Sequence, residues 1–423
     1  MTTFNLIDCC HCVKNREDFV GICFKKDKTT QDYRPVISFP YGYQIDSKDD
    51  VLALLNVLSN AQNEDDDIGA YSPNSNEKNG FPLRSYMLII QDFLQNGYYR
   101  EKENKYATRT LGKIHWGLTI KKERPVAQNS GAVYLKMQAR LNHSNDEHLM
   151  TEISKHCVYE SFIKMGWYYG LPLQPKPISL FQESLFISTI QYRLNKANKD
   201  SEKRLFQSML HVLKNIDEQT NNPSNFCFGT RRFESVWEKL IDNIFGTIRG
   251  NDKKEYFPKS KWYICGEKEP KDTNKLYPDT IMINNELGLL YVVDAKYYRY
   301  GLNKNLNCLP GMQSITKQIV YAQYIASNRK DLKYSAGIIR NIFILPFNKI
   351  DWEKQYNGNK ITRDNYHYIG YAESEWFSSD INNEYTKVHT VLVDTKHLIK
   401  NNISVNTNEI KELSELIEKA LIS

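Results

Sequence analysis

No stretch of this 423-residue chain is long and apolar enough to span a bilayer, and a mean hydropathy of −0.58 agrees with that. The opening residues, MTTFNLIDCC, lack the long apolar core of a secretory leader. The chain therefore reads as soluble and intracellular, resident in the cytoplasm. Cysteine is sparse, with eight scattered along the sequence, which suggests a reducing compartment. Cys9, Cys10, His11 and Cys12 form the one cluster. Directly adjacent cysteines are not the usual zinc-ligand spacing, so zinc is the minor reading there. His143, His148 and His156 stand outside any His-Glu-x-x-His pattern and read as ordinary surface histidines.

A nucleotide-binding loop of the form Gly-x-x-x-x-Gly-Lys-Ser/Thr is also missing. The nearest approach, Gly112-Lys113, has Ala107 in place of the first glycine and Ile114 after the lysine. P-loop hydrolysis of nucleotides is excluded, and any motor must come from another polypeptide. Charge is not extreme either: a net +6 permits nucleic-acid binding without demonstrating it.

What is present divides into three regions. A hydrophobic content of 41% suffices for real cores. Residues 1–80 read as a small β-rich domain, with strands at 18–24 and 35–43 and a helix at 49–61 capped by Ser47 or Asp49. The acidic, polar segment 62–80 reads as a linker or exposed loop. Residues 81–225 read as mainly helical, with helices starting near Pro82, at 147–164 and at 205–216. Within them 112–126, GKIHWGLTIKKERPV, looks extended. Its Lys121, Lys122 and Arg124 are candidate phosphate contacts, a solvated loop being the plain alternative. Residues 226–423 form the third region, with an amphipathic helix at 233–245, strands at 341–347, 366–372 and 385–394, and a closing helix at 408–422.

The chemistry concentrates in residues 277–298, YPDTIMINNELGLLYVVDAKYY. The segment reads as a hairpin of two apolar strands around a polar turn, Asn284 to Gly288. With Ile283 and Leu289 as partners, Asp279 falls opposite Val293 and diagonal to Asp294. Asp294 and Lys296, two apart, share one face. Charges at the end of such an apolar run are costly unless paired or metal-bound. Two carboxylates and an ammonium on one patch suit a hard divalent cation, Mg²⁺ or alternatively Mn²⁺, that works on a phosphate. Asp279 and Asp294 would hold the ion, and the Ala295 carbonyl is a further oxygen ligand. Lys296 would orient or activate the water, or stabilise the charged phosphate. Burial pulls its pKa down and the acids pull it up, and the sequence leaves the balance open. A structural ion pair is the bland reading.

With those residues in view, the hairpin resembles the PD-(D/E)xK nuclease superfamily, Pro278-Asp279 being one half of the motif and Asp294-Ala295-Lys296 the other. The resemblance implies an α/β (α+β) multidomain chain whose C-terminal part is a restriction-endonuclease-like core, a central mixed sheet flanked by helices. It also implies an acid on the preceding helix, Glu238 or Glu234 with Glu238 favoured, and a glutamine on the following helix, Gln318. The wider layout resembles the LlaJI-type restriction endonucleases, akin to McrC: FPYGY, GKIHWGLTI, EISKHCVYESF, then VWE, YPD, DAK and LPGMQSITKQIVYA. That resemblance implies a Mg²⁺-dependent DNA endonuclease subunit acting with an McrB-like AAA+ GTPase, which the N-terminal part would engage. One site cuts one strand, so a dimer or larger active assembly is expected. A stand-alone type II enzyme, a GTPase-activating assembly factor and a structure-specific repair nuclease are the rival readings.

Overall fold

The computed structural model describes residues 6–26, 33–62, 69–71, 82–100, 102–109, 113–128, 131–144, 149–216, 227–273, 276–328, 332, 337–355, 361–375, 384–402 and 404–422. Most of the expected linker at 62–80 lies outside them, as do His148 and the side chain of His143. Among the described residues no helix is long and apolar enough to cross a membrane. The fold mixes helices with parallel and antiparallel sheet.

The chain divides into two compact units. One joins Met1–Phe81 with Ser224–Ser423, and the other is Pro82–Pro223. The β-rich N-terminal residues and the C-terminal region thus belong to one unit, although the sequence reading drew them as separate domains. The reason is a shared five-stranded sheet, ordered Cys10–Cys12, Tyr33–Phe39, Val20–Lys26, Cys227–Thr230 and Gly69–Tyr71. Gly21 and Gly229 are register partners at φ +145° and +155°, where L side chains are strained. A Cβ on Gly21 would lie 2.2 Å from the Phe228 carbonyl oxygen, so no side chain fits between these strands. Two residues along, Cys23 and Cys227 are also register partners and are joined by a disulfide. The expectation of reduced cysteines therefore fails for this pair, because antiparallel pairing brings together side chains far apart in sequence.

The second sheet of this unit has six strands, in the order Thr280–Asn284, Leu289–Ala295, Ile338–Phe347, Val388–Asp394, Tyr366–Ala372 and Ile361–Arg363. The three central strands, Leu289–Ala295, Ile338–Phe347 and Val388–Asp394, run parallel, and antiparallel pairs close both edges. Leu289–Ala295 is buried at every position, which explains its unbroken apolar run: a central parallel strand is covered on both faces. Tyr321, Ala322 and Ile325 of the helix Met312–Ser327 pack on Ile281, Leu290 and Val292. The helix Phe233–Phe245 buries Phe233, Val236, Trp237, Leu240, Ile241, Ile244 and Phe245, the stripe expected of it. The closing helix, Thr407–Ile422, buries Ile410, Leu413, Leu416 and Ile417.

The other unit packs the helices Leu83–Asn96, Leu149–Met165, Glu183–Lys196 and Asp200–Leu213. It also holds an eight-residue antiparallel pair, Lys102–Arg109 with Met137–Ser144, that a mainly helical reading did not foresee. The expectation that 112–126 is extended is corrected as well, since Trp116–Lys122 is a helix. His115 Nδ1 accepts from the Leu118 N–H at 3.1 Å and so caps it, a role outside the usual cap residues that local pattern does not announce. Lys121 and Lys122 end this helix and Arg124 follows it, all three exposed.

Candidate active site

The hairpin forms around a turn at residues 285–288, with Gly288 at φ +64°. Its register differs by one from the expected one: Asn284 pairs with Leu289, Ile283 with Leu290 and Thr280 with Val293. Continuing that ladder by one residue sets Asp279 beside Asp294 itself, not beside Val293. The change tightens the site. The Asp279 and Asp294 carboxyls are close enough that each bears on the other's charge. Asp279 Oδ2 accepts from the Ala295 N–H at 3.0 Å, and Lys296 Nζ lies 2.8 Å from Asp294 Oδ2.

Electrostatics follow from that crowding. Burial and the neighbouring Asp294 carboxylate hold the Asp279 pKa well above the ordinary carboxylate value, while Lys296 only partly offsets them. Burial opposes the charge on Lys296, yet Asp294 and Asp279 outweigh it and its pKa is raised. The sequence left that balance open, and the geometry decides it in favour of the ammonium.

Glu238 and Glu234 lie one turn apart on the helix Phe233–Phe245 and have different surroundings. Glu234 is paired with Arg16 at 3.4 Å and with Arg232 at 3.9 Å. Glu238 opens to solvent, yet the protein around its carboxyl raises its pKa. Asp294 and Glu234 add to that rise, and Lys296 and Arg16 oppose it. Glu238 is thus the helix acid that senses the hairpin charges.

Gln318, fully buried, donates from Nε2 to the Val292 carbonyl at 2.6 Å and reaches the Ile342 carbonyl at 3.5 Å. Its amide nitrogen ties the two central strands together. One turn on, the Tyr321 hydroxyl donates to the Tyr277 carbonyl at 2.9 Å and braces the approach to Pro278-Asp279. Lys121, Lys122 and Arg124 belong to the other unit.

Several residues that shape the site carried no sequence signal. Lys253 Nζ donates to Asp242 Oδ1 at 2.9 Å and also to the Asp279 carbonyl. The Thr280 hydroxyl donates to the same Asp242 oxygen at 2.9 Å. This trio pins the backbone on either side of the Asp279–Thr280 junction. Lysines and aspartates at such spacing are indistinguishable in sequence from a solvated surface, so only tertiary contact reveals them.

Among the described residues no group of three or more His, Cys, Asp or Glu side chains is arranged to hold a metal ion. In the Cys9–Cys12 cluster, the Cys10 thiol donates to the Leu6 carbonyl and the Cys12 thiol to the Tyr43 carbonyl, while His11 meets Ser38. His156 contacts Ser179 and packs against Phe181 and Phe186.

The family model for the LlaJI restriction endonuclease matches residues 44–403. Comparison with curated proteins gives no match. Among solved structures, the chain is similar to a half-complex of Thermococcus gammatolerans McrB AAA+ hexamers with bound McrC. That likeness has 12% identity, covers 94% of this chain and 82% of that one, and has a TM-score of 0.32, too low to bear on fold or partners.

Proposed function

The chain belongs to the LlaJI restriction endonuclease family, and on that footing we propose that it is a Mg²⁺-dependent DNA endonuclease subunit with a PD-(D/E)xK site. The observation that carries the reading is the convergence of three groups at the end of a buried hairpin: the register sets Asp279 beside Asp294, Asp279 Oδ2 accepts from the Ala295 N–H at 3.0 Å, and Lys296 Nζ lies 2.8 Å from Asp294 Oδ2. Two neighbouring carboxylates repel unless a proton or a cation offsets their charge. An oxygen-only donor set with one ammonium beside it suits a hard dication that keeps most of its own waters, so two protein carboxylates are enough. Mn²⁺ would suit the same set.

Asp279 and Asp294 would hold the ion, with the Ala295 carbonyl as a further oxygen and Glu238 reaching it through water. A divalent ion bound there supplies Lewis-acid polarisation of the scissile phosphate and of the attacking water. Lys296 carries positive charge to the phosphate and orients the water by donating hydrogen bonds. Gln318 ties the strand bearing Val292 and Asp294 to the neighbouring strand bearing Ile342, and so steadies the strand end that carries Asp294 and Lys296. Lys121, Lys122 and Arg124 remain candidates for contact with DNA phosphates.

A partner AAA+ GTPase of the McrB kind is part of the proposal. It is supported by the absence of a Gly-x-x-x-x-Gly-Lys-Ser/Thr motif here and by the McrC-like layout of the sequence. Because one site severs one strand, a double-strand break calls for two copies in the active assembly.

The test is cutting of supercoiled plasmid by the full chain, with and without Mg²⁺, GTP and an McrB-like AAA+ GTPase. Cutting that needs all three supports the proposal. Site-specific cutting by the chain alone would make it a stand-alone enzyme. GTPase stimulation with no cutting under any metal would leave only an activator.

A further inference from the structure

The FPYGY segment, Phe39 to Tyr43, is anchored against the peptide that follows the active-site lysine. The Tyr41 hydroxyl donates to the Tyr297 carbonyl, and the Tyr41 N–H donates to the Tyr297 hydroxyl at 3.2 Å. Their rings stack with centroids 4.0 Å apart and planes 21° apart. Both are closed to solvent, at 2% and 3% exposure, so neither hydrogen bond has water competing for it. Tyr297 is held on its other sides by Phe233 and Trp237, the latter adjacent to Glu238.

The segment itself cannot shift easily. Gly42 sits at φ +79°, and a Cβ there would lie 2.9 Å from Thr395 Oγ1. The Tyr43 hydroxyl donates to Asp50, which is fully buried and ion-paired with Lys396 and Lys400. On the sheet side, the Lys296 N–H donates to the Ile344 carbonyl at 2.9 Å. The backbone of Lys296 is thus fixed by the sheet before its side chain and by Tyr41 just after it.

We propose that Tyr41 is a positioning residue for Lys296: it clamps the Tyr297 peptide and so sets where the ammonium stands relative to Asp279 and Asp294. This inference rests on the nuclease reading of the site. The N-terminal β-rich segment is then part of the catalytic apparatus.

The experiment uses the full chain with its GTPase partner, GTP, Mg²⁺ and plasmid DNA. Tyr41→Phe keeps the stacked ring and deletes only the hydrogen bond to the Tyr297 carbonyl. The expected result is a fall in kcat of about 10- to 100-fold with an unchanged KM for DNA, the signature of misplacement without loss of binding, in a variant that stays folded at the assay temperature with only the modest drop in thermal midpoint that one lost buried hydrogen bond brings. Tyr297→Phe removes the acceptor of the Tyr41 N–H and should lower kcat too. The double variant should fall short of the product of the two losses, since both act through one clamp. Equal kcat in Tyr41→Phe and the parent overturns the inference alone. Loss of activity that tracks loss of folded protein in both single variants assigns the pair a purely structural role and overturns it as well. A parent chain that cuts under no condition sinks the nuclease reading, and this inference with it.

Discussion

Trp237 and Lys296 donate to one acceptor: the indole Nε1–H and the lysine N–H both meet the Ile344 carbonyl, at 3.4 and 2.9 Å. Through that oxygen the helix carrying Glu238 and the strand end carrying Lys296 share an anchor. Trp237→Phe keeps most of the buried ring and removes the indole donor. It should cost about 1 kcal/mol of stability and slow cutting about tenfold without weakening DNA binding. Denaturant unfolding and single-turnover cleavage, run side by side, check both.

Lys253 touches no reacting group, yet it grips Asp242 and the Asp279 carbonyl together. Lys253→Met preserves length and removes the ammonium. We expect a loss of about 1–3 kcal/mol, the range for a hydrogen bond to a charged group left unmade. Cleavage should slow because Asp279 loses its backbone tether, and Lys253→Arg should restore most of it. An unchanged cleavage rate in Lys253→Met would remove this residue from the account.

The burial of Asp279 beside the Asp294 charge has a pH consequence in metal-free buffer. Asp279 has a raised pKa in the folded chain against an ordinary carboxylate value of 3.8, so the folded state binds the proton more tightly. Its contribution to stability is fully present below 3.8 and is lost as pH rises through the folded pKa. Asp279→Asn deletes that dependence. The variant should be more stable than the parent near neutrality, and the two should converge in acid, as read from thermal midpoints across the acid-to-neutral range. A parent curve that rises with pH over this window as steeply as the variant's would contradict the assignment.

Much of the C-terminal region was legible because burial there is periodic. The stripe Phe233, Trp237, Leu240, Ile241 and Ile244 gave the helix at its observed bounds, and the run from Leu289 to Val293 gave the central strand. The acids and the lysine stood out because charge rarely ends such a run. The register was one residue off because Asn284, read as part of the turn, is the last paired residue of its strand. The strand Lys102–Arg109 is silent because KENKYATR carries no alternation of apolar and polar residues, whereas MQARLNHS does alternate at Met137, Ala139 and Leu141, a signal that a mainly helical reading passes over. The helix Trp116–Lys122 was read as extended because its cap is a histidine. The Tyr41–Tyr297 clamp, the Cys23–Cys227 bond and the strand shared across the inserted unit were beyond local pattern altogether. Each joins segments far apart in sequence, and nothing in either segment alone names its partner.

The most direct test of the site is a cleavage assay on Asp279→Ala, Asp294→Ala and Lys296→Ala, each as the full chain with Mg²⁺, the GTPase partner and GTP. Each variant should remain folded and still associate with the partner, while plasmid cutting falls below detection. Cutting at the parental rate by all three would contradict the claim that these side chains form the catalytic centre.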